Sequence, residues 1–495
     1  MLESLYHHLP AIQVVLPLVS APICVIFRRT AIAWSIAMVA SWLSFGISIL
    51  LLEQVNSNGP ISYLLGGWQV PWGIEYKVDQ LSAFVLLIVT AIGSIVTLFA
   101  PNSVNKEIAS DRIYLFYTMY LLTFAGLLGI TITGDAFNLF VFLEISSLSS
   151  YVLISLGGKR NALTAAYRYL ILGTIGATFY IIGVGLLYQM TGTLNIADIS
   201  QRLPEVVGIK TVMVAFAFMT VGIGLKLGLF PLHVWLPNAY TFAPSIVTAF
   251  LAATATKVAV YVLLRIYFSL FGTKILLSLP IQEFLLILGL IAIISMSLVA
   301  IYQKNTKRLL AYSSVAQVGY MVIGISMITV TGLTATIIHL FNHAVIKGAL
   351  FLVIAAVFYR INSVKIEDMA GLAKSMPFTM AAFVAAGFSL IGVPLTAGFI
   401  SKWYLILGAI DKGWLFVAIL IIVSSLLAVI YFWKVVESVY FKERPPGAIQ
   451  IKEIPLTMLI PIWIMVGANF YFGINTNFTI SIAEKAAKYL IGSPL

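Results

Sequence analysis

The chain has 495 residues, of which 61% are hydrophobic and only 9% charged, with mean hydropathy +1.03. A soluble domain carries about 25% charged residues, so this composition excludes a soluble enzyme, a disordered chain and a nucleic-acid binder, despite the net charge of +11. The single cysteine, Cys24, leaves no intrachain disulfide and no thiolate-held metal or iron–sulfur cluster.

A membrane-spanning helix needs about 20 apolar residues. Fourteen such runs follow one another, at 10–27, 31–52, 80–100, 113–132, 135–156, 163–190, 210–237, 243–268, 280–302, 308–328, 332–360, 378–410, 413–437 and 454–474. Residues 1–495 therefore read as one all-α polytopic membrane domain. The first run is not a cleavable signal, because Arg28 and Arg29 follow it instead of preceding it. The polar stretches 53–78 and 191–209 are short enough to be loops or surface helices. The seventh and twelfth runs hold Pro231 and Pro394 well inside, so both helices are expected to kink or break there.

An even number of helices puts both termini on one side. Sorted by parity, the loops after odd-numbered helices hold sixteen Lys and Arg and the opposite loops eight, among them Arg265. The bias places the richer side in the cytoplasm and both termini outside. Five of the 29 basic residues remain inside predicted helices: Lys226, Lys257, Lys347, Lys402 and Lys434. A charge at the bilayer centre costs at least ~2.5–3.5 kcal/mol and marks an ion path, a water-filled cavity or a buried partner. Lys434 lies a turn from Glu437 near a cytoplasmic end, where snorkelling and pairing account for it. The other four sit too deep to snorkel, and their plain alternative is hydrogen bonding between helices.

The acidic counterpart is Glu144, about ten residues into the fifth helix. Alone it would be neutral there; beside a lysine it can ionise. Asp135, at the start of the same helix, suits a cap. Lys226 lies just before Pro231, and Lys402 two turns after Pro394, so each interrupted helix carries a lysine near backbone groups that the proline leaves unpaired. Paired interruptions of this kind point to a transporter built from inverted repeats. His339, His343 and Lys347, spaced by four, share one helix face. A metal there would lack a third ligand, whereas imidazoles can pass protons near neutral pH. In ordinary bundle order, Lys257 falls between Lys226 and this face. No Gly-rich phosphate loop, haem-ligand pattern or nucleophile–base arrangement calls for a cofactor, so the driving energy is expected from a partner or a second ion.

These segments together resemble the antiporter-like membrane subunits shared by Mrp-type cation/proton antiporters, respiratory complex I and membrane-bound hydrogenases. The resemblance rests on Val78-Asp79-Gln80-Leu81-Ser82, the Glu144 helix, Gly224–Pro237, Lys307–Ser314, the His339–Lys347 face and Gly392–Lys402. Gly134-Asp135 followed by Phe137-Asn138-Leu139 looks most like the D-subunit branch of the Mrp antiporters. Lysine rather than glutamate at 402 resembles the Mrp D and quinone-proximal complex I patterns and departs from the middle complex I subunit. The resemblance implies fourteen helices with inverted repeats at about 113–268 and 280–437. It implies that Glu144 and Lys226 are the key ion pair, Lys257 and His343 the central relay and Lys402 the terminal lysine, with Lys347 secondary. The expected role is a proton-translocating subunit of a hetero-oligomeric complex in the cytoplasmic membrane, exchanging H+ for Na+ or another monovalent cation. The alternative is a proton-pumping subunit of a redox complex of the complex I or hydrogenase type.

Overall fold

A computed structural model describes residues 2–158, 160–444 and 451–492. Lys159, one of the cations counted above, lies outside the described residues. Helices α1 (Leu2–Phe27) and α2 (Thr30–Asn58) form a pair joined at Arg28–Arg29. An antiparallel hairpin follows, β1 (Ile61–Leu64) against β2 (Glu75–Val78), with Ile61 opposite Val78 and Leu64 opposite Glu75. It marks one face of the bundle, called here the hairpin face, and occupies the first of the two long polar stretches.

Helix α3 (Gln80–Glu107) starts from the hairpin with a capping box, Asp79 accepting from the Ser82 amide while the Ser82 hydroxyl accepts from the Asp79 amide. Then come α4 (Ile113–Ile132), α5 (Ala136–Ser155) and α6 (Arg160–Thr191). The second polar stretch forms a short surface helix, α7 (Ile196–Val206). Residues 133–135 tie these parts together: the Gly134 amide donates to Glu75 O and the Ile196 amide to Gly134 O.

The seventh run is α8 (Lys210–Leu227), an irregular turn, and α9 (Leu236–Phe242). The helix stops ahead of Pro231, at Gly228, whose φ of 71° is the left-handed value that ends helices. The eighth run was expected to be continuous. It is instead α10 (Ser245–Ala253), a break at Thr254, α11 (Ala255–Leu264), a π-helical stretch Arg265–Phe271, and α12 (Gly272–Ser278). Helices α13 (Ile281–Ile301), α14 (Thr306–Ser326) and α15 (Val330–Ile361) follow. The twelfth run breaks as expected, α16 (Pro377–Ile391) stopping at Gly392 with φ 93° before α17 (Ala397–Asp411) begins. The chain closes with α18 (Leu415–Phe441), α19 (Leu456–Ile474) and the amphipathic α20 (Asn477–Ile491), which packs on α15 and α3.

Among the described residues, thirteen helices are long and apolar enough to cross a membrane, and a bent pair ending in Pro377–Ile391 brings the number to fourteen. The span Ser245–Ser278 and α14 have 94% of their apolar windows buried, against 39% for α6, α13, α18 and α19. The broken eighth span and α14 therefore stand at the centre, and the other four present their sides to lipid or to neighbouring chains.

Candidate ion path

At one end of the path, Glu144 of α5 meets Lys226 of α8. Lys226 Nζ lies 3.3 Å from Glu144 Oε1, donates to Ser147 Oγ at 2.6 Å and reaches Tyr151 Oη at 3.5 Å. The lysine side chain is 5% exposed and the glutamate 22%, so the carboxylate reaches the side of the bundle. Ser147 follows Glu144 by three residues, which puts both on one helix face. An aromatic stack holds the break beside this pair. Tyr151 stands edge-on to Tyr169, and Tyr169 stacks on Trp235 with ring centroids 3.8 Å apart. Trp235 Nε1 then donates to the Leu225 carbonyl in the last turn of α8, which also accepts from the Gly228 amide at 3.3 Å. Pro231 lies in the turn and does not itself carry the site.

A small cavity of about 30 Å³ separates Lys226 from Ala255, Val258 and Ala259 of α11, with Ser146, Ser147 and Ser150 on its wall. That is room for about two water molecules. Lys257, fully buried, folds back on the break at Thr254 and donates to Ala252 O at 2.5 Å and to Thr256 Oγ1 at 3.3 Å. This contact is the local reason a helix can break there without a proline or glycine. Helix α11, which carries Lys257, touches both α8, which carries Lys226, and α15, which carries the histidine face.

On α15, His339 and His343 stack with centroids 5.9 Å apart. Both ring nitrogens of His343 and Nε2 of His339 are buried with no partner among the described residues. Lys257, Lys347 and Lys402 all lie near enough to act electrostatically on His343. Lys347 donates to Leu310 O at 2.8 Å and to Ser313 Oγ, both on α14. His339 Nδ1 is hydrogen-bonded to Ser401 Oγ at 2.8 Å, next to Lys402. Lys402 Nζ donates to Leu390 O at 3.1 Å, Ile391 O at 2.7 Å and Ser425 Oγ at 3.0 Å. The carbonyl of Leu390, expected to be freed by Pro394, is thus taken up by the lysine two turns later.

The cap expected of Asp135 is present, and two other readings need correction. Asp135 is the cap of α5, accepting from the Asn138 amide at 2.7 Å, away from the lysine row. Lys434 does not pair with Glu437: it donates to Ile301 O and Gln303 O, while Glu437 faces Lys442 at 3.8 Å. Arg265 is no loop residue. It lies 8% exposed in the π-helical stretch and pairs with Asp79. Sequence reasoning also passed over Ser147, Tyr151, Ser401 and Ser425. Ser147 and Tyr151 carried a signal, their helical spacing of three and seven from Glu144, and Ser401 adjoins Lys402; Ser425 comes from another helix and carried none.

Residues 133–428 match the protein family described as NADH:quinone oxidoreductase/Mrp antiporter, TM. The chain is 42% identical over 478 residues to the N subunit of the NADH-quinone oxidoreductase of Desulforudis audaxviator, covering 92% of this chain and 94% of the relative. It is 30% identical over 436 residues to the D subunit of the Na(+)/H(+) antiporter of Alkalihalophilus pseudofirmus, covering 85% of each. Among solved structures, a chain of the membrane-bound sulfane sulfur reductase, an archaeal respiratory membrane complex, superposes with a TM-score of 0.90 at 29% identity over 97% of both chains.

Proposed function

The chain belongs to the family of NADH:quinone oxidoreductase and Mrp antiporter membrane subunits, a family of multi-pass membrane proteins, and from that premise we propose that it is the proton-translocating subunit of an Mrp-type multisubunit antiporter. In this reading it exchanges H+ for Na+ or another monovalent cation together with its partner subunits. The observation that carries the proposal is the buried row from Glu144 and Lys226 through Lys257, His343, Lys347 and His339 to Lys402, on helices that touch in that order.

A carboxylate beside a buried lysine favours its charged form. When Glu144 approaches Lys226, the ammonium is held; when it withdraws, the proton is released toward Lys257 through the small cavity. Lys257 passes charge to the imidazole pair, whose unpartnered nitrogens can take and give protons, and Ser401 links that pair to Lys402. Glu144 reaches the side of the bundle at mid-membrane, where a carboxylate facing lipid would be costly. We therefore place a neighbouring subunit against α5. Helices 113–268 and 280–437 are read as inverted repeats, each with one broken helix that carries a lysine. With Lys159 left out and Arg265 removed from the loops, the described residues hold fifteen cations on one face (sixteen minus one) against seven (eight minus one) on the hairpin face. The hairpin face is accordingly assigned to the outside of the cytoplasmic membrane, with both described ends of the chain on it.

A second reading is supported by the 42% identity to an NADH-quinone oxidoreductase N subunit: the same row driven by electron transfer in partner subunits. Reconstituting the purified complex in vesicles separates the two. The antiporter reading expects Na+ or K+ to drive pH changes without a redox substrate. A response to NADH alone would replace it with the redox reading.

A further inference from the structure

A polar cavity of about 340 Å³ opens on the hairpin face beside β2, α7 and the end of α20, and it touches none of the residues in the row. Its floor is a chain of contacts between three segments. Arg265 is bonded through one terminal nitrogen to Asp79 Oδ1 at the start of α3 and donates through Nε to Tyr261 Oη at 2.9 Å. Tyr261 in turn donates to Thr131 O at the end of α4, at 2.8 Å. Asp79 and Arg265 have side chains 1% and 9% exposed, a buried pair beneath an open cavity. Asp79 Oδ2 is buried and accepts nothing among the described residues.

What lies beneath this floor is Lys257. Residues 257, 261 and 265 follow one another at intervals of four, so Lys257, Tyr261 and Arg265 occupy one face of the eighth span. About 12 Å of helix separates the first from the last. The π-helical geometry begins at Arg265, and π turns occur frequently at functional sites. The cavity wall also carries a second carboxylate, Glu75, whose two oxygens each accept one bond, from Ser62 and from Asn195. A carboxylate has capacity for more. The guanidinium therefore has one anion below and another on the wall above.

We infer that this cavity is an aqueous route by which Lys257 exchanges protons with the hairpin face, and that Asp79, Arg265 and Tyr261 form its gate. The inference rests on the reading of Lys257 as a proton carrier. With the gate closed, Arg265 spans Asp79 and Tyr261 and seals the floor. With Arg265 turned up toward Glu75, Tyr261 loses its donor and water can reach Lys257. The ammonium N–H then breaks, its proton moves to a water oxygen, and the hydronium hands it outward; uptake is the reverse. The neutral amine keeps its bond to Ala252 O. Asp79, Arg265 and Tyr261 are positioning residues, since none of them has to hold the travelling proton.

The test uses the whole complex in vesicles, with a pH jump and no cation gradient. Asp79→Asn is expected to raise proton permeability by about tenfold or more, equivalent to ~1.4 kcal/mol off the opening equilibrium. Adding Lys257→Met to that variant should abolish the leak, and exchanging the two charges (Asp79→Arg with Arg265→Asp) should lower it again. A defect of packing alone would leak whether or not Lys257 is present, and that outcome overturns the inference, as does an assembled Asp79→Asn complex no leakier than wild type. Should Asp79→Asn not assemble, Ser269→Cys in a Cys24→Ala background reads the cavity directly. A membrane-impermeant thiol reagent added on the hairpin face should label it, and no labelling rejects the aqueous route. The pH jump needs no antiport, so a wild-type complex without cation exchange would sink the proposed function while the leak still reads the gate.

Discussion

The Glu144–Lys226 contact gives a prediction whose size follows from its length. Glu144→Gln removes the charge and keeps the shape; Glu144→Asp keeps the charge and withdraws it by one methylene. At the observed 3.3 Å, two unit charges attract by about 5 kcal/mol at an effective dielectric constant of ~20. Drawing the carboxylate back by about 1.3 Å lowers this to about 3.6 kcal/mol. The difference, about 1.4 kcal/mol, is tenfold in an equilibrium. The burial cost of the lysine is the same in both proteins and cancels in the comparison. If the approach of Glu144 sets whether Lys226 holds its proton, Glu144→Asp retains roughly a tenth of the wild-type exchange rate, and Glu144→Gln falls below detection. The assay is cation-driven pH change in inside-out vesicles, normalised to assembled complex. Equal loss in the two variants would refute a distance-dependent charge coupling, and full exchange by Glu144→Gln would remove Glu144 from the path.

Three further outcomes are expected. A Cβ on Gly173 would stand 1.9 Å from Tyr151 Oη, so Gly173→Ala displaces Tyr151 and lowers exchange, whereas Tyr151→Phe keeps the stack and costs less; similar rates in both variants would contradict this. Gly392 has φ 93°, and a Cβ there would meet Lys402 Cδ at 3.0 Å. Gly392→Ala should destabilise the break by about 1–2 kcal/mol, read as a lower thermal midpoint of the solubilised complex together with slower exchange. Burial pushes the Asp79 carboxyl up, but Arg265 and the Ser82 bonds outweigh it and hold it below the ordinary carboxylate range. A lowered carboxyl contributes stability above its unfolded value, about 3.9, and loses it only as the pH falls through the folded value. The difference in thermal midpoint between wild type and Asp79→Asn should therefore stay constant from about pH 8 to about pH 5. A difference that shrinks within that window would mean that Asp79 titrates there.

Much of this was legible because charge is scarce. Hydropathy located the spans, and any lysine inside one stood out against the cost of burying it. The breaks at 228 and 392 were foreseen from Pro231 and Pro394, although the chain turns at the preceding glycines, where a left-handed residue ends the helix before the proline is reached. The break at Thr254 was not legible. It depends on Lys257 reaching back to Ala252 O, a contact that no local residue preference encodes. Arg265 was misplaced for a related reason. Near the end of a span an arginine reads as a loop residue, and only the three-dimensional return of the hairpin brings Asp79 against it. Asp79 itself was visible only as part of a motif, and the structure makes it both cap and counter-ion.

The lysines in the row are held in two different ways, and the difference bears on direction. Lys226 has a carboxylate partner, so its bond changes strength greatly with its protonation state. Lys257, Lys347 and Lys402 donate instead to backbone carbonyls and hydroxyls. Two of those acceptor groups, Ala252 O and the Leu390–Ile391 pair, close a helical segment, where carbonyls carry the negative end of the helix dipole. A neutral amine still has N–H groups to offer such acceptors, so these three can gain or lose a proton without losing their positions. On the proposed reading the interior of the row conducts with little rearrangement, and movement is concentrated at the Glu144 end, where a charge pair forms and parts. Glu144, with a side chain 22% exposed, reaches the side of the bundle. A neighbouring subunit pressing on α5 would thus act on the one contact in the row whose strength depends steeply on distance.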